Sequence, residues 1–399
     1  MKVVMFAAPF GQGGQMHIHC RRYLRLLQLA GCDVTLVEHS GAQSRPIPNV
    51  EHRKYPRRMR RLDGLATTRA LSFLHKRRLE PLLLAAKADL CHVQWMDDRV
   101  IDVSLAGGRP LIATAWGSDL NVPARASPND RARQRIGAAL RELDLLIVDS
   151  DDSATTATLL AGTEVPSALL PIGIDTQLFQ PDLPKERAEW RRQWQIEPDA
   201  LVFLSARQLG AVYRPAEIIA AFAGMPAAAR ERSYLIMRTF GHSVGASLTA
   251  LERQVQSLGI AQRVRWIGGM PYEQQPGLFV AADFTVNFPH MDAFPVTFLE
   301  SLACGVPVLT NRLGAYESNG AAPYLTFSSE NAAGALSATM AAALDDVATL
   351  QAQAARGREH VVQNFDERVS AARLKEIYES VLIRHSTRNR GNADSFVPC

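Results

Sequence analysis

The chain has 399 residues, of which 47% are hydrophobic and 21% charged. At about 100–200 residues per domain that length holds two domains, and the composition excludes wholesale disorder and collagen-like repeats. Lysine and arginine number 44 against 40 acidic residues, a formal net charge of +4, too mild an excess for a nucleic-acid binder. The basic excess lies in the first half. Much of it falls between Arg45 and Arg78, in a segment that includes Arg57, Arg58, Arg60 and Arg61. The five cysteines, Cys20, Cys32, Cys91, Cys304 and Cys399, are scattered and odd in number. With no CxxC and no zinc-spaced Cys/His cluster, they suit free thiols in a reducing cytoplasm and imply no metal. No apolar run reaches the roughly 18–20 residues of a membrane span.

The first ten residues, MKVVMFAAPF, have the apolarity of a signal-peptide core. They run into GQGG and an amphipathic helix without an A-x-A site, so they read as a first strand over 2–8. A helix over 17–30 follows, closed by Gly31, then strands over 33–38, 89–94, 110–115 and 143–149 and one ending near 169–173. A polar helical stretch spans 181–195. A second series begins at 199, with strands over 201–206, 233–238, 264–268, 284–288 and 306–310. Its helices fall over 215–224, 247–258, 294–302 and 332–344. Short β-branched runs alternating with amphipathic helices predict parallel sheets covered on both faces. The organisation expected is an α/β domain over 1–172, a linker over 173–198 and a second α/β domain over 199–365. A last helix over 366–386 would cross back to the first domain, before a mobile tail over 387–399. Two facing doubly wound domains would put strand carboxyl ends on both sides of a central cleft.

The chemistry is densest in HMDAFPVTFLESLACGVPVLT, from His290 to Thr310. Asp292 and Glu300 flank seven residues. Phe294, Pro295 and Val296 open a helix whose first amides and dipole favour an anion. Glu300, about two turns in, suits a ribose diol. Upstream, FLSARQLGAVYRPAEIIAAFA carries Arg207 and Arg214, with Tyr213 beside the second. LLPIGIDTQLF offers Gly173 for a sharp turn and Asp175 as a turn cap. In the first half, GQGGQMHIHC places Gly11, Gly13 and Gly14 between strand and helix, where bare amides suit a phosphate or sugar. The competing reading is a degraded dinucleotide fingerprint with Glu38 as ribose ligand, although Met16 stands where the third glycine belongs. ATAWGSDL holds Trp116, suited to stacking on a sugar face, and Asp119, either a site carboxylate or a helix cap. His17, His19, His242 and His290 are the candidate site histidines.

The stretch from His290 to Thr310 resembles the E-x7-E motif of retaining GT-B glycosyltransferases of the family 4 type, with Asp292 as the first acid. The segment from Leu169 to Phe179 is similar to the P-N-G-[IV]-D-x-x-x-F junction of that family, with Ile172 in place of asparagine. Many relatives carry His-Gly-x-Asp where Trp116 to Asp119 stand, so Trp116 replaces the histidine. The resemblance implies a GT-B fold, two Rossmann-like doubly wound domains facing a central cleft. It further implies Glu300 on the donor ribose, Asp292 on the donor sugar, and Arg207 on the diphosphate. Arg214 stands as the nearest candidate for the usual lysine. Gly268 and Met270, in WIGGMP, lie where relatives hold the nucleobase by backbone groups. Gly13, Gly14, Trp116, His17 and Asp119 would shape the acceptor side.

The implied reaction moves a sugar from a nucleotide diphosphate sugar, UDP first among them, to a hydroxyl of a saccharide or lipid-linked saccharide of envelope or polysaccharide biosynthesis. It implies no metal and no cofactor beyond that co-substrate. The basic segment between Arg45 and Arg78 is a solvated face or a peripheral contact with anionic lipid. The competing functions are a GT-B nucleotide-sugar epimerase, a catalytically silent nucleotide-sugar binder, an NAD oxidoreductase, and transfer to a small secondary metabolite.

Overall fold

The computed structural model describes residues 1–8, 16–39, 42, 45–55, 69–240 and 244–394. The chain forms two compact units. The first comprises Met1–Gly173 and Glu367–Cys399, the second Ile174–Asp366. Among the described residues each unit holds one parallel sheet.

In the first unit β1 (Lys2–Phe6), β2 (Asp33–His39), β3 (Val50–Tyr55), β4 (Leu90–Gln94), β5 (Leu111–Thr114), β6 (Leu145–Val148) and β7 (Ser167–Leu169) lie in the order β3-β2-β1-β4-β5-β6-β7. The second unit has β8 (Leu201–Ser205), β9 (Ser233–Arg238), β10 (Val264–Ile267), β11 (Phe284–Asn287), β12 (Val308–Thr310) and β13 (Leu325–Phe327), in the order β10-β9-β8-β11-β12-β13. Both orders are doubly wound and Rossmann-like. The winding reverses between β1 and β4, and again between β8 and β11.

Alternate residues of each strand feed cores on opposite faces. In the first unit Val4, Phe6, Val93 and Ala113 pack on one side. Val3, Met5, Leu90 and Ile112 pack on the other, against Tyr23, Leu24 and Leu27 of the helix Ile18–Leu29 and Leu374, Tyr378 and Val381 of the last helix, Glu367–Asp394. That last helix belongs to the first unit, and Arg25 pairs with Glu367 at 3.2 Å. It extends to Asp394, through part of the stretch expected to be a mobile tail. Gly173 owes its place to this helix rather than to a turn. A Cβ there would lie 2.5 Å from the Ser370 hydroxyl oxygen. Asp175 caps the next turn, accepting from the Gln177 and Leu178 amides at 3.0 Å each.

The segment expected to link the domains is built into the second unit. Its helix, Pro184–Gln193, packs on the helix Gln275–Ala281, and a Cβ on Gly277 would meet the Trp190 indole nitrogen at 2.9 Å. Asp283, just before β11, is the anchor. Its carboxylate accepts from Arg187 at 2.8 Å, from Arg191 at 3.2 Å and from the Val202 amide at 2.8 Å. Arg191 is buried and also donates to the Ala200 and Ala281 carbonyls.

Cys20, Cys91 and Cys304 are buried free thiols. Burial pushes the Cys20 and Cys91 thiols up to about 12, so they stay protonated. No described helix is long and apolar enough to cross a membrane.

Removing the Asp283 carboxylate strands a buried guanidinium, which typically costs about 3–5 kcal/mol. Asp283→Ala is therefore expected to lower the unfolding free energy measured in urea by that amount, whereas Glu197→Ala, at an exposed pair, should change it by less than about 1 kcal/mol.

Candidate active site

In an open parallel sheet, ligands bind beyond the strand carboxyl ends where the winding reverses. In the second unit those ends are β8 and β11. β8 is apolar until it leaves the sheet, and Arg207 stands just past its end. β11 leads through Phe288 to Asp292. Arg207 donates to an Asp292 carboxylate oxygen at 3.1 Å, and both side chains are largely buried. The Arg207 guanidinium lies 4.2 Å from the Tyr213 ring centroid. The other Asp292 oxygen accepts from the Tyr316 hydroxyl at 3.4 Å, which in turn accepts from the Asn287 amide at 3.2 Å. Burial pushes the Asp292 carboxyl up, opposed by Arg207 and by the Ala293 amide. The loop after β8 is tied to the loop after β11 by the His290 amide, 2.8 Å from the Val212 carbonyl. Arg214 adopts a left-handed φ of 51°, pairs with Glu217 at 3.1 Å, donates to Asn331 and stacks 4.5 Å over Phe288.

The helix after Asp292 runs from Val296 to Ala303, and no side chain caps its start. The Phe298 amide donates to the Pro295 carbonyl at 3.0 Å, which leaves the Val296 and Thr297 amides to face an anion. Pro295 is its N-cap in extended conformation, so Phe294 precedes the helix, and the Phe294 ring is core, against Phe298 and Phe365. Glu300 is buried on this helix. Gly268 is exposed beyond β10, with nothing near its missing Cβ, and Met270 packs partly onto the core.

The equivalent strand ends of the first unit carry aromatic rings. His17 caps the helix Ile18–Leu29. Its ring lies 4.8 Å from Trp116, with His19 at 4.9 Å and Trp95 at 5.6 Å from the same indole. Trp95 follows β4 with a φ of 78°, an uncommon conformation for a bulky residue. Asp119 is buried, and its two oxygens accept from the Met96 and Trp116 amides at 2.9 Å each. It thereby ties the loops after β4 and β5 together, and burial pushes its carboxyl up to about 6. The Trp116 indole donates to Gln94 at 3.2 Å, and the Gln94 amide donates to His92 Nε2 at 3.2 Å. His92 Nε2 must then accept, so Nδ1 carries the proton toward the Tyr378 hydroxyl at 2.5 Å.

Comparison with known proteins bears on both units. Residues 186–360 match the family described as glycosyl transferases group 1, and residues 10–150 match glycosyl transferase 4-like. The chain belongs to the GT-B glycosyltransferases of the family 4 type. It is 32% identical over 219 residues to D-inositol 3-phosphate glycosyltransferase of Thermobispora bispora, covering 53% of this chain and 50% of that one. It is 25% identical over 290 residues to the GDP-mannose-dependent alpha-(1-6)-phosphatidylinositol monomannoside mannosyltransferase of Mycolicibacterium smegmatis, covering 68% and 70%. The chain thus spans about half the length of the inositol phosphate relatives it matches. Among solved structures, Anabaena HepE in complex with UDP and glucose shares the fold, with a TM-score of 0.73 and 16% identity over 95% of this chain and all of that one.

Set on this GT-B frame, Arg207 and Asp292 meet directly, while the polar partners of Arg214 are Glu217 and Asn331. Asp119 spends both carboxylate oxygens on backbone amides. Of the glycine loop, Gly11, Gly13 and Gly14 lie outside the described residues, as do His242, Arg57, Arg58, Arg60 and Arg61. Glu38, the alternative ribose ligand, is buried beside His52 at 3.5 Å. Sequence reasoning missed Asn287, Tyr316, Trp95, His92 and Gln94. The last two had a legible signal, polar residues inside a strand that is buried throughout.

His92 titrates far below its ordinary value, at about 3, because burial disfavours the imidazolium. The unfolded chain therefore takes up this proton below about pH 6.5 while the folded one does not, and stability falls as pH drops from 6.5 toward 3. Asp119 acts with the opposite sign, so the comparison is made with His92→Gln, which keeps Asp119. Between pH 7.5 and 5, wild type is expected to lose about 2 kcal/mol more than His92→Gln in urea unfolding. Equal losses would show that His92 is protonated in the folded state.

Proposed function

We propose that the protein is a retaining glycosyltransferase that moves a sugar from a nucleoside diphosphate sugar to an acceptor hydroxyl. The observation that carries this reading is the buried Arg207–Asp292 pair beside an uncapped helix that bears Glu300, all at the winding reversal of one sheet. Arg207 has five N–H donors and Asp292 engages only one side of the guanidinium, which leaves donors for a diphosphate. The first-turn amides of the helix add fixed positive potential as the leaving group gathers charge. Asp292 orients the donor sugar, and Glu300 holds the ribose diol. Arg214 supplies a more remote cation, since its guanidinium is already engaged. Gly268 and Met270 offer backbone groups to the nucleobase. Phe294, Pro295 and Val296 contribute through the chain rather than through rings.

On the acceptor side, Trp116 and His17 present a ring surface to a saccharide, and Asp119 positions that loop. Gly13 and Gly14 complete the side in this reading. Trp116 has no acid–base function, so the acceptor proton goes to the departing phosphate oxygen on the same face of the sugar, which retains anomeric configuration. The Mycolicibacterium relative is named for GDP-mannose and HepE was solved with UDP and glucose, so the donor panel must include both bases. UDP-sugars are the first donors to test. A saccharide or a lipid-linked saccharide is the acceptor class proposed, in the cytoplasm and with no metal requirement.

Incubation with UDP-, GDP- and dTDP-sugars is expected to release nucleoside diphosphate with one base, and acceptor-dependent product of retained configuration by NMR. Interconversion of the sugar without release would instead identify an epimerase, and binding without turnover a silent protein. Arg207→Met should lower kcat/KM by about 100-fold or more. Glu300→Ala should weaken donor binding about tenfold or more; unchanged donor affinity in Glu300→Ala would remove it from the ribose site.

The basic segment between Arg45 and Arg78 motivates a peripheral membrane reading. Cosedimentation with vesicles containing phosphatidylserine is expected to fall as salt rises. Absence of binding at low salt would leave that segment as a solvated face.

A further inference from the structure

A third arginine stands at the carboxyl end of the same sheet. Arg238 is the last residue of β9, next to β8, and it is buried. Its guanidinium lies 4.4 Å from the Phe240 ring centroid. Phe240 in turn borders the loop after β10, where a Cβ built on Gly269 would meet the Phe240 Cβ at 3.9 Å. Arg238 also feels the buried carboxylate of Glu300, which favours the cation while burial opposes it. The Nε–H of Arg238 is shielded from solvent and has no hydrogen-bond partner among the described residues. Buried guanidinium donors are ordinarily paired, because an unmet donor keeps its full desolvation penalty. At the carboxyl end of β11, two strands away in the same sheet, the Asn287 side-chain oxygen is likewise buried and without a partner among the described residues.

An arginine offers donors only, so the missing partner is an acceptor. The position selects which one. Arg207 and Asp292 lie past β8 and β11, whereas Arg238 ends β9, the strand next to β10, and its Phe240 neighbour borders the Gly268–Gly269 loop. We infer that Arg238 is a nucleoside-reading residue, which donates to a ring carbonyl of the donor's base and so favours uracil or guanine over adenine. Adenine presents an amino group in place of guanine's carbonyl, and that group cannot accept from Arg238. Phe240 holds the guanidinium plane by stacking.

This inference rests on the nucleoside diphosphate reading, and the test separates the two. The full chain is titrated calorimetrically with UDP, GDP, ADP and inorganic pyrophosphate, as wild type, Arg238→Met and Arg238→Lys. Wild type is expected to bind UDP or GDP about tenfold or more tighter than ADP. Arg238→Met keeps the stem without the donors, and should bring the three nucleotides within about twofold while pyrophosphate affinity stays unchanged. Arg238→Lys keeps the charge but not the planar fork, and should fail to restore the preference. Thermal unfolding of each apo variant identifies one that has lost its fold, in which case the other decides. A preference that survives in both variants overturns the inference. So does restoration by lysine, or a parallel loss of pyrophosphate binding, which would make Arg238 a phosphate contact. If wild type binds pyrophosphate but no nucleoside diphosphate selectively, the nucleoside role fails alone; if it binds none of the four, the nucleotide reading fails with it.

Discussion

A parallel strand covered on both faces has no place for an unpaired charge except near its ends. Its middle residues meet core on either side, and its backbone groups are spent on the neighbouring strands. The sheet of the second unit obeys this closely. β8 and β11 are apolar or uncharged throughout, and β9 turns charged only at Arg238. The polar groups of the unit are thereby gathered along one edge, with Arg207, Asp292 and Arg238 delivered by three adjacent strands. The opposite approach is visible just before β11, where Asp283 is sunk into the fold and fully spent on Arg187, Arg191 and a backbone amide. One carboxylate is consumed by architecture. The other, Asp292, is left at the edge with a single cation.

That contrast sets the Arg207–Asp292 pair apart from the structural cluster at Asp283. A buried ion pair is a poor stabiliser, since desolvating two charges offsets most of their attraction and an apolar pair of similar size often does as well. Around Asp283 the cost is met by several backbone contacts in addition to the arginines. Around Asp292 the carboxylate accepts from Arg207, from the Ala293 amide at 3.1 Å and from Tyr316 at 3.4 Å, with a single cation, and the Asn287 oxygen beside Tyr316 has no partner among the described residues. Groups held this way suit a polar ligand better than they suit an empty fold.

Much of the fold was legible because buried parallel strands are short apolar runs. The strands that escaped notice are edges. Among the described residues β3, VEHRKY, pairs with β2 alone and carries charge because half of it faces water, and β13 has three residues. The helix Val347–Phe365 escaped for a similar reason, since only Ala354, Gly357, Val361 and Phe365 are buried in a largely polar sequence. In the candidate site, what local chain geometry fixes was readable as placement: Asp292 and Glu300 across the start of a helix between strands, and Arg207 just past β8. What depended on tertiary proximity was not. Gly173 looks like a turn residue and is really a close approach to Ser370. Asp119 looks like a site acid and ties two loops. Arg238 carries no motif, and its meaning comes from Phe240, Glu300 and an unmet donor that only the folded chain brings together.

The first unit shows how the same edge constraint can be relaxed, and at what geometric cost. His92 and Gln94 sit within β4, buried, and are tolerated because each polar atom finds a partner in one continuous chain from Tyr378 through His92 and Gln94 to Trp116. Thr114, on the neighbouring strand, meets the same imidazole at 2.7 Å. With His92 neutral and its proton assigned to Nδ1, every link in this chain has one direction, so the Trp116 indole is fixed by the last helix rather than by its own loop alone. Asp119 fixes the loop backbone, and Gln94 fixes the ring. A ring held from two sides has little orientational entropy left to lose when a flat ligand face settles on it. At Trp116 that restraint comes from two directions, the backbone amide held by Asp119 and the indole N–H held by Gln94, so the ring is oriented before anything settles on it.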